Sequence, residues 1–212
     1  MPAADEHANR GRPERIGLLG GTFDPPHCGH VAAAVACVDA LDLDRLLLVV
    51  ANHPWQKTPL RTVSPAEDRV AMVEAAAAGR PRLEVSRLEI DRGGPSYTIE
   101  TVEELLGEAR GEQRPAPEVF MVVGADLVES LPTWERVGEL ARLVTLVVVS
   151  RPRSPTPQPP AGWRSAVVAT PGIDVSSSEV RTLLAQGRPV GGLVPEAVIR
   201  CIHHRDLYAV WR

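Results

Sequence analysis

Short apolar runs recur along the chain, and most are continuous rather than alternating. Ile16–Leu19, Leu46–Val50, Val119–Val123 and Val144–Val149 are apolar throughout except for Gly17 and Thr145. Continuous apolarity over four to six residues marks a strand covered on both faces, as in a parallel sheet. These runs predict strands over Ile16–Leu19, Arg45–Ala51, Glu118–Val123 and Val144–Ser150. Leu83–Ile90 alternates instead, which predicts a half-exposed third strand nearer an edge. Ala166–Ala169 adds a sixth, short one. Between them lie stretches with helical spacing. An alanine-rich run covers Val31–Leu41. Ser64-Pro65-Ala66-Glu67 has the capping-box spacing and opens a helix to about Ala78, with Val70, Met72 and Val73 on its core side. Arg69 on that helix is either a surface residue or one that reaches a site. Ser96 or Thr98 caps a helix to about Arg110. A helix after Asp126 is broken at Leu131-Pro132, and Val137–Leu143 forms a short one. Asp174-Val175-Ser176 opens another, and Val194-Pro195-Glu196 starts the last, to about Arg205.

The alternation predicts one α/β domain over residues 16–212, with a small helical part over 176–212 and a disordered polar tail over 1–15. At 212 residues and 44% hydrophobic, the chain is long enough for one proper core. The twelve residues Arg151–Gly162 hold five prolines and read as a loop excursion, because too little chain follows for a second core. Net charge is −4, so no global basic field recruits nucleic acid, and 4% aromatic residues speak against a base-stacking surface. The three cysteines are widely spaced without Cys-x-x-Cys, which speaks against a disulfide framework or zinc ribbon and for a reducing cytoplasm. No stretch has the length of a membrane span, and Met1–Arg15 lacks an apolar signal core. Cys201, His203 and His204 do not make a metal site, since histidines in a last helical turn suit the dipole and no fourth ligand is in view.

Candidate chemistry concentrates in Gly20-Gly21-Thr22-Phe23-Asp24-Pro25-Pro26-His27-Cys28-Gly29-His30, between the first strand and the first helix. Gly20 and Gly21 let the backbone turn sharply and come close to a ligand. The helix start offers N–H groups and a positive dipole end to phosphate. His27 and His30, three apart, lie on one side of the first turn, where imidazoles can stabilise charge on phosphate oxygens. The bland alternative is that one His caps and the other packs. Other strand ends carry polar groups. Asn52-His53-Pro54-Trp55-Gln56-Lys57 holds a lysine suited to phosphate or merely solvated. The loop before Tyr97-Thr98 offers N–H groups to a carboxylate. Gly124-Ala125-Asp126 places an acid for sugar hydroxyls or an N-cap. Trp134 stacks on a flat ring or packs in the core. Ser176-Ser177-Ser178-Glu179-Val180-Arg181 makes a second helix-start anion site. A dinucleotide-binding oxidoreductase is disfavoured: Gly17, Gly20 and Gly21 do not make Gly-x-Gly-x-x-Gly, and the second strand ends in Asn52 rather than an acid.

The first motif resembles the His-x-Gly-His signature of the nucleotidylyltransferases, and its longer form resembles the nicotinate mononucleotide adenylyltransferase branch. Pro54-Trp55-Gln56-Lys57 is similar to a loop of actinobacterial members, and Ser176–Arg181 to the family's Ser-Ser-Thr-x-Ile-Arg. Val194–Val198 and Leu207-Tyr208 resemble the family's end. The departures are mild: Ser178 for Thr, Val180 for Ile, Asn52-His53 for smaller residues, and Gly191-Gly192 where an aromatic is common. The resemblance implies a Rossmann-like, doubly wound parallel sheet of the nucleotidylyltransferase type. It implies transfer of the adenylyl group of ATP, with Mg²⁺, to nicotinate mononucleotide, giving nicotinate adenine dinucleotide and pyrophosphate in NAD biosynthesis. The implied catalytic residues are His27, His30, Lys57 and Arg181. Gly20, Gly21, Thr22, Phe23, Ser177, Ser178 and Arg181 are implied around ATP and its phosphates. Asn52, Trp55, Lys57, Tyr97, Thr98, Gly124, Asp126 and Trp134 are implied around nicotinate mononucleotide. The partners are then ATP and nicotinate mononucleotide, with neither nucleic acid nor membrane, and a homo-oligomer stays open. The alternatives are a sister transferase acting on phosphopantetheine or a sugar or polyol phosphate, and a non-catalytic nucleotide sensor.

Overall fold

The computed structural model describes residues 12–53, 63–150, 158–170 and 172–208. Six strands form one sheet, all pairs parallel, in the order β3-β2-β1-β4-β5-β6. The strands are β1 (Arg15–Gly21), β2 (Arg45–Val50), β3 (Leu83–Ser86), β4 (Glu118–Gly124), β5 (Val144–Ser150) and β6 (Ser165–Ala169). The helices are α1 (Cys28–Ala40), α2 (Ala66–Ala77), α3 (Leu88–Arg92), α4 (Thr98–Gly111), α5 (Val137–Leu143), α6 (Ser177–Ala185) and α7 (Glu196–His204). The parallel sheet predicted from the apolar runs, doubly wound as the resemblance implies, is therefore observed. Successive strand residues face opposite layers: Leu46, Leu48 and Val50 join one core cluster, Leu47 and Val49 the other. A third cluster seats α6 and α7 on α2, with Met72, Val180, Val198 and Ile202 all buried.

Strand order reverses between β1 and β4, which opens a crevice at their carboxyl ends. Gly20-Gly21-Thr22 and Gly124-Ala125-Asp126 both reach that crevice.

Several local expectations are corrected. The alternating run Leu83–Ile90 is a strand only to Ser86, where its pairing with β2 stops at Val49, and α3 follows. The capping box at Ser64 does not form: Pro65 is the N-cap, Arg69 Nε donates to Ser64 O and Glu67 pairs with Arg87. Neither Ser96 nor Thr98 caps α4, whose N-cap is Tyr97. Asp126 is not the N-cap of the following 3₁₀ segment, Ala125–Thr133: that position is Gly124, and Asp126 lies in the first turn. Residues 12–15, expected in the polar tail, belong to the folded part: Arg12 pairs with Asp44, Glu14 with Arg45, and Arg15 is already in β1. Ser176, by contrast, caps α6 as expected, accepting from Glu179 N–H at 3.2 Å.

Candidate active site

The turn after β1 is built around packing that only glycine permits. A Cβ on Gly21 would stand 2.9 Å from Cζ of Phe23. Phe23 has a left-handed backbone (φ 51°), and its ring is buried beneath the turn. That ring meets His30 edge-on, with centroids 5.0 Å apart. His30 in turn stacks on His27, with centroids 3.6 Å apart and planes at 23°. The His27 N–H donates to Nδ1 of His30 at 3.2 Å. His30 therefore carries its proton on Nε2 and presents that N–H as a donor. The capping and phosphate readings of His30 thus coexist, because each uses a different ring nitrogen.

The helix start is less open to an anion than its sequence suggests. The Cys28 N–H, first in α1, donates to Leu193 O at 2.8 Å. Burial pushes the Cys28 thiol up, partly offset by the nearby Arg80 charge, so it is a protonated thiol rather than a nucleophile.

The two predicted anion sites, far apart in sequence, meet here. Arg181 donates to Asp24 O at 2.7 Å and to Ser178 Oγ at 2.9 Å, and Ser177 Oγ donates to Pro25 O at 2.9 Å. The start of α6 thus holds the outer side of the turn. Phe23, implied as an ATP contact, can offer only backbone, since its side chain is 2% exposed.

On the inner side lies a cavity of about 170 Å³, lined by Gly20, Gly21 and Thr22 of the turn, Tyr97 and Thr98 at the start of α4, and Trp134. Hydrophobic walls come from Val49, Met121 and Val123. The Trp134 indole is half-buried, and its N–H donates to Ser130 Oγ at 3.4 Å. Arg136, two residues on, grips Glu103 of α4 through both terminal nitrogens at 2.9 and 2.6 Å. That pair fixes the tryptophan loop against α4.

Gly124, Asp126 and Asn52 are not in this lining. The Asp126 carboxylate folds back over Gly124, where a Cβ would collide with its Oδ1. Asn52 donates from Nδ2 to Gly94 O at 3.0 Å, and its N–H goes to Ser96 Oγ at 2.8 Å. With Ser96 N–H donating to His53 O, these bonds lace the end of β2 to the segment before α4. Trp55 and Lys57 lie outside the described residues.

Sequence reasoning left one contributor, Arg69, open between surface and site, and missed another, Glu89. Arg69 is 2% exposed and donates to Thr22 O at 3.1 Å, Ala51 O at 2.6 Å, Asn52 O at 3.2 Å and Ser64 O at 2.9 Å. It ties together the ends of β1 and β2. The only sequence signal was a charge inside an apolar helical face. Glu89 lines the cavity and is 6% exposed. It accepts from Thr101 Oγ1 at 3.0 Å, and Arg92 donates to that same oxygen at 3.1 Å. Burial pushes the Glu89 carboxyl up, against the hydrogen bonds from Ser96 and Thr101. Glu89 was hidden because its neighbours alternate like a strand.

Among the described residues no three or more His, Cys, Asp or Glu cluster to hold a metal ion, and no helix is long and apolar enough to cross a membrane.

The cytidylyltransferase-like family model matches residues 18–183. A Corynebacterium kroppenstedtii protein named "Probable nicotinate-nucleotide adenylyltransferase" is 42% identical, over 92% of this chain and 90% of its own. A Thermus thermophilus protein of the same name is 44% identical, over 92% of this chain and 99% of its own. Among solved structures, the Plasmodium falciparum nicotinic acid mononucleotide adenylyltransferase complexed with NaAD is similar at a TM-score of 0.70. That likeness covers 92% of this chain and 97% of the other at 15% identity, and so concerns the fold.

Proposed function

We propose a reaction from the premise that this chain belongs to the cytidylyltransferase-like family, among its nicotinate-nucleotide adenylyltransferases. The enzyme transfers the adenylyl group of ATP to nicotinate mononucleotide, giving nicotinate adenine dinucleotide and pyrophosphate. The observation that carries the site reading is the stacked His27–His30 pair at the end of the turn whose first residues, Gly20-Gly21-Thr22, line the cavity.

The 5′-phosphate of nicotinate mononucleotide attacks the α-phosphorus of ATP in line. One P–O bond forms as the bond to the β-phosphate oxygen breaks, and pyrophosphate carries away that electron pair. No protein nucleophile takes part, in keeping with the raised Cys28 thiol. Catalysis rests on positioning and charge neutralisation. His30 donates from Nε2 and His27 beside it to the phosphate oxygens as charge builds. Thr22 and Lys57 hold the attacking and transferred phosphates. Arg181 with Ser177 and Ser178 binds the β- and γ-phosphates. The pyridine ring lies against Trp134, its carboxylate at the N–H groups of Tyr97 and Thr98, where the α4 dipole is positive. Gly124, Asp126 and Asn52 border the ribose side, and Trp55 is a further contact of nicotinate mononucleotide. Mg²⁺ fits as a companion of ATP, because it keeps water and phosphate oxygens as ligands and needs no protein cage; bound so, it neutralises polyphosphate charge. The polar composition and free cysteines support a cytoplasmic setting.

The test is pyrophosphate release with ATP and Mg²⁺, offering nicotinate mononucleotide, nicotinamide mononucleotide and phosphopantetheine in parallel. Release with the first, well above the second, is the expected result. Release with phosphopantetheine alone would overturn the acceptor, and no release while ATP still binds would overturn the reaction.

A further inference from the structure

We infer that Tyr208 is a positioning residue for the phosphate turn, acting through the buried carboxylate of Asp24. The inference rests on the adenylyl-transfer reading above. Asp24 sits in the turn three residues before His27 and is 1% exposed. A carboxylate so deep in the protein is costly unless hydrogen bonds satisfy it. The Tyr208 hydroxyl donates to Asp24 Oδ1 at 2.5 Å, across 184 residues of sequence. An O–H to carboxylate bond of this length is of the strong, charge-assisted kind.

The surroundings hold the phenol to this one task. Met72 Sδ lies 3.7 Å from the hydroxyl, but a thioether is a weak acceptor beside a carboxylate. Ser64 also hydrogen-bonds the hydroxyl, and the Arg181 charge faces it. Burial, then the Asp24 charge, push the Tyr208 hydroxyl up, so it stays a donor. The backbone of Tyr208 is left-handed, φ 58°, in a residue with a bulky side chain. Such a conformation persists only where the surroundings fix it. α7 packs on α2 through Met72, Val198 and Ile202, and the turn after α7 brings the phenol beneath the active-site turn.

Asp24 is thus gripped on two sides. Tyr208 holds its carboxylate, and Arg181 holds its carbonyl at 2.7 Å. The next residue but two begins the histidine stack, so a shift of Asp24 passes directly to His27. The cavity residues Tyr97, Thr98 and Trp134 lie on other segments and do not depend on this bond. The geometry therefore separates two kinetic quantities: the pyridine-side contacts at Tyr97, Thr98 and Trp134 stay in place, and Tyr208 acts chiefly on turnover.

The experiment compares wild type, Tyr208→Phe, Asp24→Asn and the double variant in steady-state pyrophosphate release with ATP and nicotinate mononucleotide. Tyr208→Phe is expected to lower kcat by about tenfold while KM for nicotinate mononucleotide changes by less than about twofold. The double variant is expected to match Asp24→Asn, since both break one connection. If Tyr208→Phe keeps the wild-type kcat, or if the two losses multiply in the double variant, the inference is overturned. Should Asp24→Asn not fold, the imidazole nitrogen NMR signals of His30 in Tyr208→Phe decide instead. Displaced signals support the inference, and unmoved signals overturn it. An inactive wild type would overturn the underlying reaction and is distinct from both results.

Discussion

Gly29→Ala tests how tightly the histidine stack is held. A methyl at this position would stand 3.0 Å from Nδ1 of His27, 3.1 Å from its Cε1 and 3.4 Å from Cγ1 of Val175. Ordinary carbon contacts lie near 3.5–4.0 Å, so the imidazole has to give by about half an ångström. It has little room to do so, since it is 7% exposed and stacks on His30 at 3.6 Å on its other face. Overpacking of this kind costs about 1–3 kcal/mol. Glycine to alanine inside a helix returns up to about 1 kcal/mol. The net loss of stability then lies between about zero and about 3 kcal/mol, up to about 10 °C in Tm for a chain of this size. Activity is more sensitive. If a misplacement of 1 Å costs about a hundredfold, half of that costs about tenfold in kcat. The assay is pyrophosphate release at saturating ATP and nicotinate mononucleotide, with a thermal melt of the same sample. A folded variant within about twofold of the wild-type kcat would refute the view that the stack is positioned by close packing.

The remaining predictions need one assay each. His30→Ala lowers kcat by about a hundredfold or more with a small change in Tm, as for loss of a charge-stabilising donor; a near wild-type rate in the folded variant removes His30 from the chemistry. Trp134→Ala raises KM for the pyridine nucleotide about three- to tenfold, the worth of one aromatic stack, while KM for ATP holds; equal effects on both substrates would exclude stacking. Glu89→Gln reads the buried carboxyl. Because burial raises its pKa in the folded protein, folding binds the Glu89 proton, and its penalty is absent below the unfolded carboxylate range and full above the folded pKa. The variant should melt higher than wild type at about pH 8, with the gain vanishing near about pH 4. A lower melting temperature at the alkaline end would mean that the Ser96 and Thr101 hydrogen bonds outweigh burial.

The sheet was legible because continuous apolar runs leave few other folds for strands buried on both faces. The turn was legible because glycines, prolines and spaced histidines each constrain the same few residues. What stayed hidden is instructive in physical terms. Over four residues, Leu88–Asp91 satisfies both the strand and the helix period, and only the end of its partner strand decides between them. Arg69 stayed open between surface and site because its partners are backbone carbonyls, which leave no mark in the sequence. The Ser64 capping box failed for a related reason: Arg87 claims Glu67 through a bidentate pair from outside the helix. Asn52 and Ser96 bond to each other's segments, a relation set by topology between residues 44 apart.

The bonds that shape the turn after β1 come from very late in the chain. Ser177 reaches back 152 residues to Pro25, Arg181 157 to Asp24, and Tyr208 184 to the same aspartate. During synthesis the first strands and α1 leave the ribosome long before any of these partners exist. A nascent or prematurely terminated chain can therefore assemble much of its sheet while the nucleotide-handling turn lacks its outer support. Competence arrives last, after the sheet and not with it. Translation thus separates the moment of folding from the moment of activity, so incomplete products should compete poorly for the cell's ATP.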